Sequence, residues 1–485
     1  MRATLQLRAL LLVAACAASL GAQAAKTTDK SASLLAAIEA KSAHYGDVAH
    51  QIWGFAEVGY QEVKSSALLQ RELAAAGFRM QPGIAGMPTA FTAEFGSGKP
   101  VIAILGEFDA LPGLSQDTTP TQHPLVPGGA GHGCGHHLFG TAAVASTIAL
   151  KEWMIANKVA GTLRFYGTPA EEGGAGKVYM VRDGLFDDVD VAVTWHPSDR
   201  NSVQTTSSLA NISGKFRFKG VSAHAAGSPE LGRSALDAVE AMNAMVNMMR
   251  EHVPQASRIH YVITNGGRAP NVVPDFAEVY YVVRHPDIRI VDDLWGRVQN
   301  AAKGAALGTG TSYELVVTGA VYSLLINETL AKVQQQALER VGGYAYTAEE
   351  RAWAERLRKT LPPSQVPLDA VATVQSLRTA VAAGGGGSTD VGDVSWRVPT
   401  VQLGAATWVP GTPAHSWQAV AAGGTSIGTK GMIVAAKSMA LMASELFQSP
   451  ETIVAARAEF EKARGPNFVY STRLGRQKPA LDYRK

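Results

Sequence analysis

Cysteine is nearly missing from this chain: Cys16 and Cys134 are the two in 485 residues. A disulfide framework is therefore excluded as the source of stability. Charge is sparse too, at 18% with a net of +3, and lysine and arginine form no cluster with interleaved aromatics. That pattern excludes nucleic acid as a partner. The apolar run from Ala9 to Ala18 is too short to span a bilayer as a permanent helix. Internal repeats and long disordered tracts are also lacking.

What is present is a 46% hydrophobic chain long enough for two or three domains with large cores. Arg2 and Arg8 precede the early apolar run, and Ala22-Gln23-Ala24 offers a small-x-small cleavage site. Residues 1–24 therefore read as a signal peptide, and the protein is expected in the periplasm or secreted. Val13-Ala14-Ala15-Cys16 resembles a lipoprotein box, which makes lipid anchoring at Cys16 the alternative. After cleavage Cys134 would be alone, and metal ligation would shield such a thiol from oxidation and mispairing.

Gly131-His132-Gly133-Cys134-Gly135-His136-His137 gathers that thiol with three imidazoles in a glycine-rich turn. Cys134 and His136 can both point into one site if the turn is extended, and thiolate with neutral imidazole suits zinc-like ions. A Gly/His-rich surface loop with a buried thiol is the other reading of this stretch alone.

Helical spacing runs from Ser31 to Ala76 and again from Leu138 to Asn157. Four apolar runs read as strands, each followed by acids or a histidine. Val101–Leu105 precedes Glu107 and Asp109; Thr162–Tyr166 precedes Glu171 and Glu172. Val189–Val193 precedes His196, and Val401–Leu403 precedes His415. The fold class expected is α/β: a mainly parallel sheet with helices on both faces, binding ligands beyond its strand ends. Between residues 212 and 325 the texture changes to β-α-β-β-α-β, a ferredoxin-like α+β unit inserted between catalytic halves at 25–211 and 326–485. Thr347 and Glu350 have capping-box spacing, and Gly384–Gly387 reads as a loop where backbone approaches a ligand.

The segments Gly106-Glu107-Phe108-Asp109-Ala110-Leu111-Pro112, Cys134-Gly135-His136 and Pro169-Ala170-Glu171-Glu172-Gly173-Gly174, with the late His415, resemble the M20 metallopeptidase family. The similar branch is that of the amidohydrolases of N-acyl and N-aroyl amino acids. Within it, Gly387 to Trp396 and His415 to Gln418 are similar to the aminobenzoyl-glutamate hydrolases. The resemblance implies two divalent metal ions per subunit, manganese or zinc. Cys134 would bridge them, Glu172 and His415 completing one and His136 and His196 the other.

It further implies Glu171 as general base and Asp109 as the carboxylate orienting a ligating histidine. The insertion would be a lid and dimerisation module. His224 would reach a reacting carbonyl in the partner subunit's site, and Asn271 and Arg284 would bind the substrate carboxylate. His137, where many relatives carry an acid or amide, is expected to support a ligand or line the substrate pocket. Glu107 has no assigned role. The expected reaction is hydrolysis of the amide joining an acyl or aroyl group to an amino acid, p-aminobenzoyl-glutamate-like compounds leading. A dipeptidase or aminoacylase on the same scaffold is the alternative, and a non-catalytic partner subunit is the rival of another class. A homodimer is expected, with a homologous partner subunit as the other assembly.

Overall fold

A computed structural model describes residues 30–378 and 386–484. Residues 1–24, for which a signal peptide is expected, lie outside the described residues, as do Gly384 and Gly385. In chain order the strands are β1 (Arg79–Pro82), β2 (Phe91–Ser97), β3 (Val101–Glu107), β4 (Gly161–Thr168), β5 (Val191–Ser198) and β6 (Ser202–Val203). β7 (Ala210–Lys219), β8 (Arg258–Asn265), β9 (Phe276–His285) and β10 (Ser312–Val321) follow, and β11 (Thr400–Ala406) comes last.

Seven of them form one sheet in the order β1-β2-β4-β3-β5-β11-β6. Its middle, β4-β3-β5-β11, is parallel, while β1, β2 and β6 pair antiparallel at the two edges. The most apolar stretches belong to the middle strands, β3 above all, because both faces there are covered. On β3, Ile102 and Ile104 pack with the helix His136–Asn157 on one face. Val101, Ala103 and Leu105 pack with Val178 and Met180, from the helix Gly176–Arg182, on the other. The first face also carries the helix Ser426–Gln448, whose Ala435, Ala436, Ala440 and Ala443 share one buried core with Ala142, Ala143 and Ala145.

The other four strands form an antiparallel sheet in the order β10-β7-β9-β8. Phe216 and Phe218 on β7, with Val279, Tyr281 and Val283 on β9, bury one face against the helices Ala235–Met249 and Ile288–Thr309. This is the expected β-α-β-β-α-β unit. Ser234 caps the first helix, accepting from the Asp237 amide at 3.1 Å. Strand β8 is an edge, exposed along nearly its whole length, including Tyr261, Val262 and Ile263.

The Thr347–Glu350 capping box opens the helix Ala348–Arg358. Beyond the helix Pro450–Arg464, residues 465–484 carry neither helix nor strand and run back across the molecule. Arg473 pairs with Asp292 on the Ile288–Thr309 helix, and the Gln477 side chain donates to the Val317 carbonyl of β10 at 3.1 Å.

Candidate metal centre

Every parallel strand leads into a polar side chain at or beyond its carboxyl end, on one edge of the sheet. Glu107 ends β3, and buried Asp109 follows two residues later. After β4, Ala170 adopts a left-handed φ of 57°. Its amide donates to the buried Glu62 carboxylate at 2.9 Å, which holds a conformation that costs a non-glycine residue about 1 kcal/mol. The bend sends Glu171 toward Glu107 and His136, and Glu172 toward Cys134 and His415. His196 comes from β5 itself. His415, beyond β11, also has a left-handed φ of 60°, and its amide donates to the Gly133 carbonyl at 2.9 Å.

The Cys134–His136 turn is not extended. Gly135 takes a left-handed φ of 78°, and a Cβ there would lie 2.8 Å from Pro197. His136 then opens the helix His136–Asn157. Cys134, His136 and His196 form one triad, and Cys134, Glu172 and His415 a second, with ligand atoms in each within 4.8 Å of one another. Cys134 is common to both. Cys134 Sγ lies 3.4 Å from His196 Nε2, and His415 Nε2 lies 3.2 Å from Glu172 Oε1.

The Asp109 carboxylate only accepts, so His136 Nδ1–H donates to it at 2.9 Å and leaves Nε2 as the free donor atom. The Pro197 carbonyl fixes His196 the same way at 2.7 Å. His136 Nε2 lies 3.1 Å from Glu107 Oε2, and Glu172 Oε1 faces His415 Nε2, yet none of these three buried atoms makes a well-formed hydrogen bond. Orphaned atoms aimed into one space, with a thiol shared between two triads, fit a pair of divalent cations.

The electrostatics agree. Burial, with Glu107, Glu172 and Asp390 nearby, pushes Glu171 well above the ordinary carboxylate range. Burial also pushes the Cys134 thiol up, against the pull of His136, so the thiolate forms when a cation takes the proton's place. A thiol held protonated is a poor free nucleophile. Burial lowers His136, but Cys134, Asp109 and Glu107 outweigh it and the net direction is upward. The cluster calls for positive charge.

The remaining expected residues divide. Arg284 and Asn211 face each other across β9 and β7, and both line a cavity of about 470 Å³ with Glu171, Glu172, His196 and His415. Burial lowers Arg284, and its Nε is buried without a partner. His224 and Asn271 are exposed on the insertion and do not line that cavity; His224 bridges Val272 instead. His137 is a correction to the pocket expectation. It is buried, 3.0 Å from the Gly423 carbonyl and with its ring tilted against His132 at 4.9 Å between centroids, away from the cavity. One step along a helix turns a side chain by about 100°, so the neighbour of His136 faces the core. Burial and His132 hold His137 well below its ordinary value, and His132 is lowered to about 4.

With this geometry in hand, the profile of peptidase family M20/M25/M40 matches residues 103–419. The chain belongs to that family. The chain is thus an M20 enzyme of the metallopeptidase and amidohydrolase class, as the motifs suggested. It is 46% identical over 439 residues to the B subunit of p-aminobenzoyl-glutamate hydrolase from Escherichia coli K12, covering 85% of this chain and 90% of that one. It is 28% identical over 440 residues to the Xaa-Arg dipeptidase of Mus musculus, covering 87% and 90%. A dinuclear metal binding M20 peptidase from Bacillus subtilis shares the fold, with a TM-score of 0.54 at 18% identity over 84% of this chain and 99% of that one.

In this M20 chain the sequence motifs left out the groups that hold the acids together. Lys177, fully buried, lies 2.6 Å from Glu107 Oε1 and 2.7 Å from Asp390 Oδ1. Its own amide donates to Asp390 Oδ2 at 2.9 Å. Glu62, which burial and Asp109 push up to about 8, props the Ala170 bend. The sequence signal for Asp390 lay in the Gly387–Trp396 segment; Lys177 carried none.

Proposed function

We propose that this protein is an exported two-metal amidohydrolase that splits the amide of N-acyl or N-aroyl amino acids, p-aminobenzoyl-glutamate-like compounds foremost. The observation that carries the reading is the pair of triads sharing Cys134, with unpaired donor atoms beside Glu171. Similarity to one chain of a p-aminobenzoyl-glutamate hydrolase supports the substrate class. The leader at residues 1–24 supports export. The exposed β8 edge supports a homodimer through residues 212–325. The Escherichia coli relative is one of the subunits of its hydrolase, which gives a homologous partner as the other assembly.

Cys134, His136 and His196 would hold one cation, and Cys134, Glu172 and His415 the other, manganese or zinc. When bound, the cations supply polarisation of the amide carbonyl and a more acidic attacking water. Glu171 takes the proton of that water on its carboxylate and returns it to the leaving nitrogen. Asp109 keeps His136 in the tautomer with Nε2 free. Arg284 offers paired N–H groups to the substrate carboxylate. Asn211 and Ser213 of β7, with Tyr280, Val282 and Arg284 of β9, form one wall of the cavity. His224 and Asn271, remote from their own cavity, would complete the partner subunit's site.

The test compares Glu171→Gln with Glu172→Gln for metal content and for turnover of a panel of acyl-amino acids. Glu171→Gln should keep both ions and lose roughly a hundredfold or more in turnover. Glu172→Gln should lose hold of one ion. If Glu171→Gln lost metal while Glu172→Gln kept both ions, the roles are exchanged. Full activity in both variants overturns the mechanism.

A further inference from the structure

The peptide of Glu172 is pinned on both sides. Its N–H donates to Asp109 Oδ2 at 2.9 Å, from inside the catalytic sheet. Its carbonyl accepts two bonds from the far end of the chain: the Tyr483 hydroxyl at 3.0 Å and Arg484 Nη2 at 2.6 Å. The Tyr483 ring meets Tyr60 edge-on at 5.7 Å, and the Tyr60 hydroxyl donates to the Gly174 carbonyl at 2.7 Å. The two tyrosines therefore clamp the turn that carries both Glu171 and Glu172.

The segment bringing these donors is fixed along its course. Arg473 is paired with Asp292, and the Gln477 carbonyl accepts from Arg182 at 2.7 Å. The Leu481 carbonyl accepts from the Gln61 side chain at 2.7 Å. It lies beyond residues 103–419, so the family profile says nothing of it. Two donors converging on one carbonyl, one of them cationic, hold a backbone unit more firmly than a single neutral bond does.

The geometry points to Tyr483 and Arg484 as positioning residues for Glu172, setting the direction of the carboxylate shared with His415. The inference rests on the metal reading above, in which Glu172 is a ligand. Groups that orient a ligand in this way are worth roughly 10- to 100-fold in metal affinity.

The test uses the full chain with Tyr483→Phe/Arg484→Met, which removes both donors and keeps their bulk. Affinity for each of two Mn²⁺ or Zn²⁺ ions is measured by chelator competition, alongside the melting temperature of the metal-free protein. One ion should bind roughly 10- to 100-fold more weakly, with the other ion and the melting temperature close to wild type. Tyr483→Phe/Arg484→Lys, which restores one cationic donor, should recover part of the loss. Should the double variant fail to fold, Arg484→Met alone carries the same reading. Wild-type affinity for both ions in the variant overturns the positioning role, and so does equal loss of both ions with a collapsed melting transition. A wild-type protein that takes up no metal overturns the metal reading itself.

Discussion

Replacing Lys177 with methionine would remove the one buried cation between Glu107 and Asp390 while keeping its volume. Burial pulls Lys177 down, but Asp390 and Glu107 outweigh it and hold the ammonium above its ordinary value. A raised folded pKa means the contribution is complete below the unfolded value near ~10.4 and is lost as pH climbs through the folded one. At neutral pH the stabilisation is therefore fully present. Breaking a buried ion pair from one side costs about 3–5 kcal/mol. Here two carboxylates lose their partner, at 2.6 and 2.7 Å, so the upper end is expected. Asp390, already raised by burial, would rise further without the Lys177 ammonium, so acid would neutralise it sooner in the variant than in the wild type. Urea denaturation of metal-free wild type and Lys177→Met should thus show a deficit near ~5 kcal/mol at neutral pH that shrinks on acidification. Adding Asp390→Asn should recover part of it, because the two sites are coupled. A deficit under ~1 kcal/mol at neutral pH, or one that grows in acid, would refute the account of this cluster.

Two further outcomes are expected. Cys134→Ser should cost both ions together, since Cys134 belongs to both triads and a serine hydroxyl is not ionised near neutral pH; full occupancy by elemental analysis would remove the shared-ligand assignment. Asp188 accepts from Arg164 Nη1 and Nη2 at 2.7 and 2.8 Å, which lowers its pKa, so its contribution is present above the unfolded value and lost as pH falls through the folded one. Half-exposed as it is, Asp188→Asn should cost under ~1 kcal/mol at neutral pH, and the difference should close as the carboxylate is protonated in acid; a gap that widens in acid denaturation would contradict the sign.

The sheet was readable where its strands are buried on both faces. Val101–Leu105 is an unbroken apolar run because each face meets a core, and in Thr162–Tyr166 Leu163, Phe165 and Tyr166 are buried while Arg164 pairs with Glu94 and Asp188. Strand β2 holds no continuous apolar run: Phe91, Ala93 and Phe95 alternate with Thr92, Glu94 and Gly96, and it pairs antiparallel with β4 at the margin of that core. The helix Ser426–Gln448 is buried nearly all round, so it shows little periodic contrast despite its length. The ligands were legible because acids and histidines stood directly after strands. Their neutralising partner was not: Lys177 looks like any lysine, and its mate Asp390 stands 213 positions away. Proximity in sequence misled at His137, where helical rotation separates it from His136.

Asp109 has a consequence of its own. One oxygen takes the His136 ring and the other the Glu172 peptide, so a single carboxylate spans the two halves of the centre. Both partners are donors, and a side-chain amide could satisfy only one of them while turning an N–H against the other. The two halves therefore share a pivot and cannot be retuned separately. Any shift at the end of β3 moves the imidazole and the glutamate backbone as one piece, and a substitution that repairs one geometry disturbs its twin.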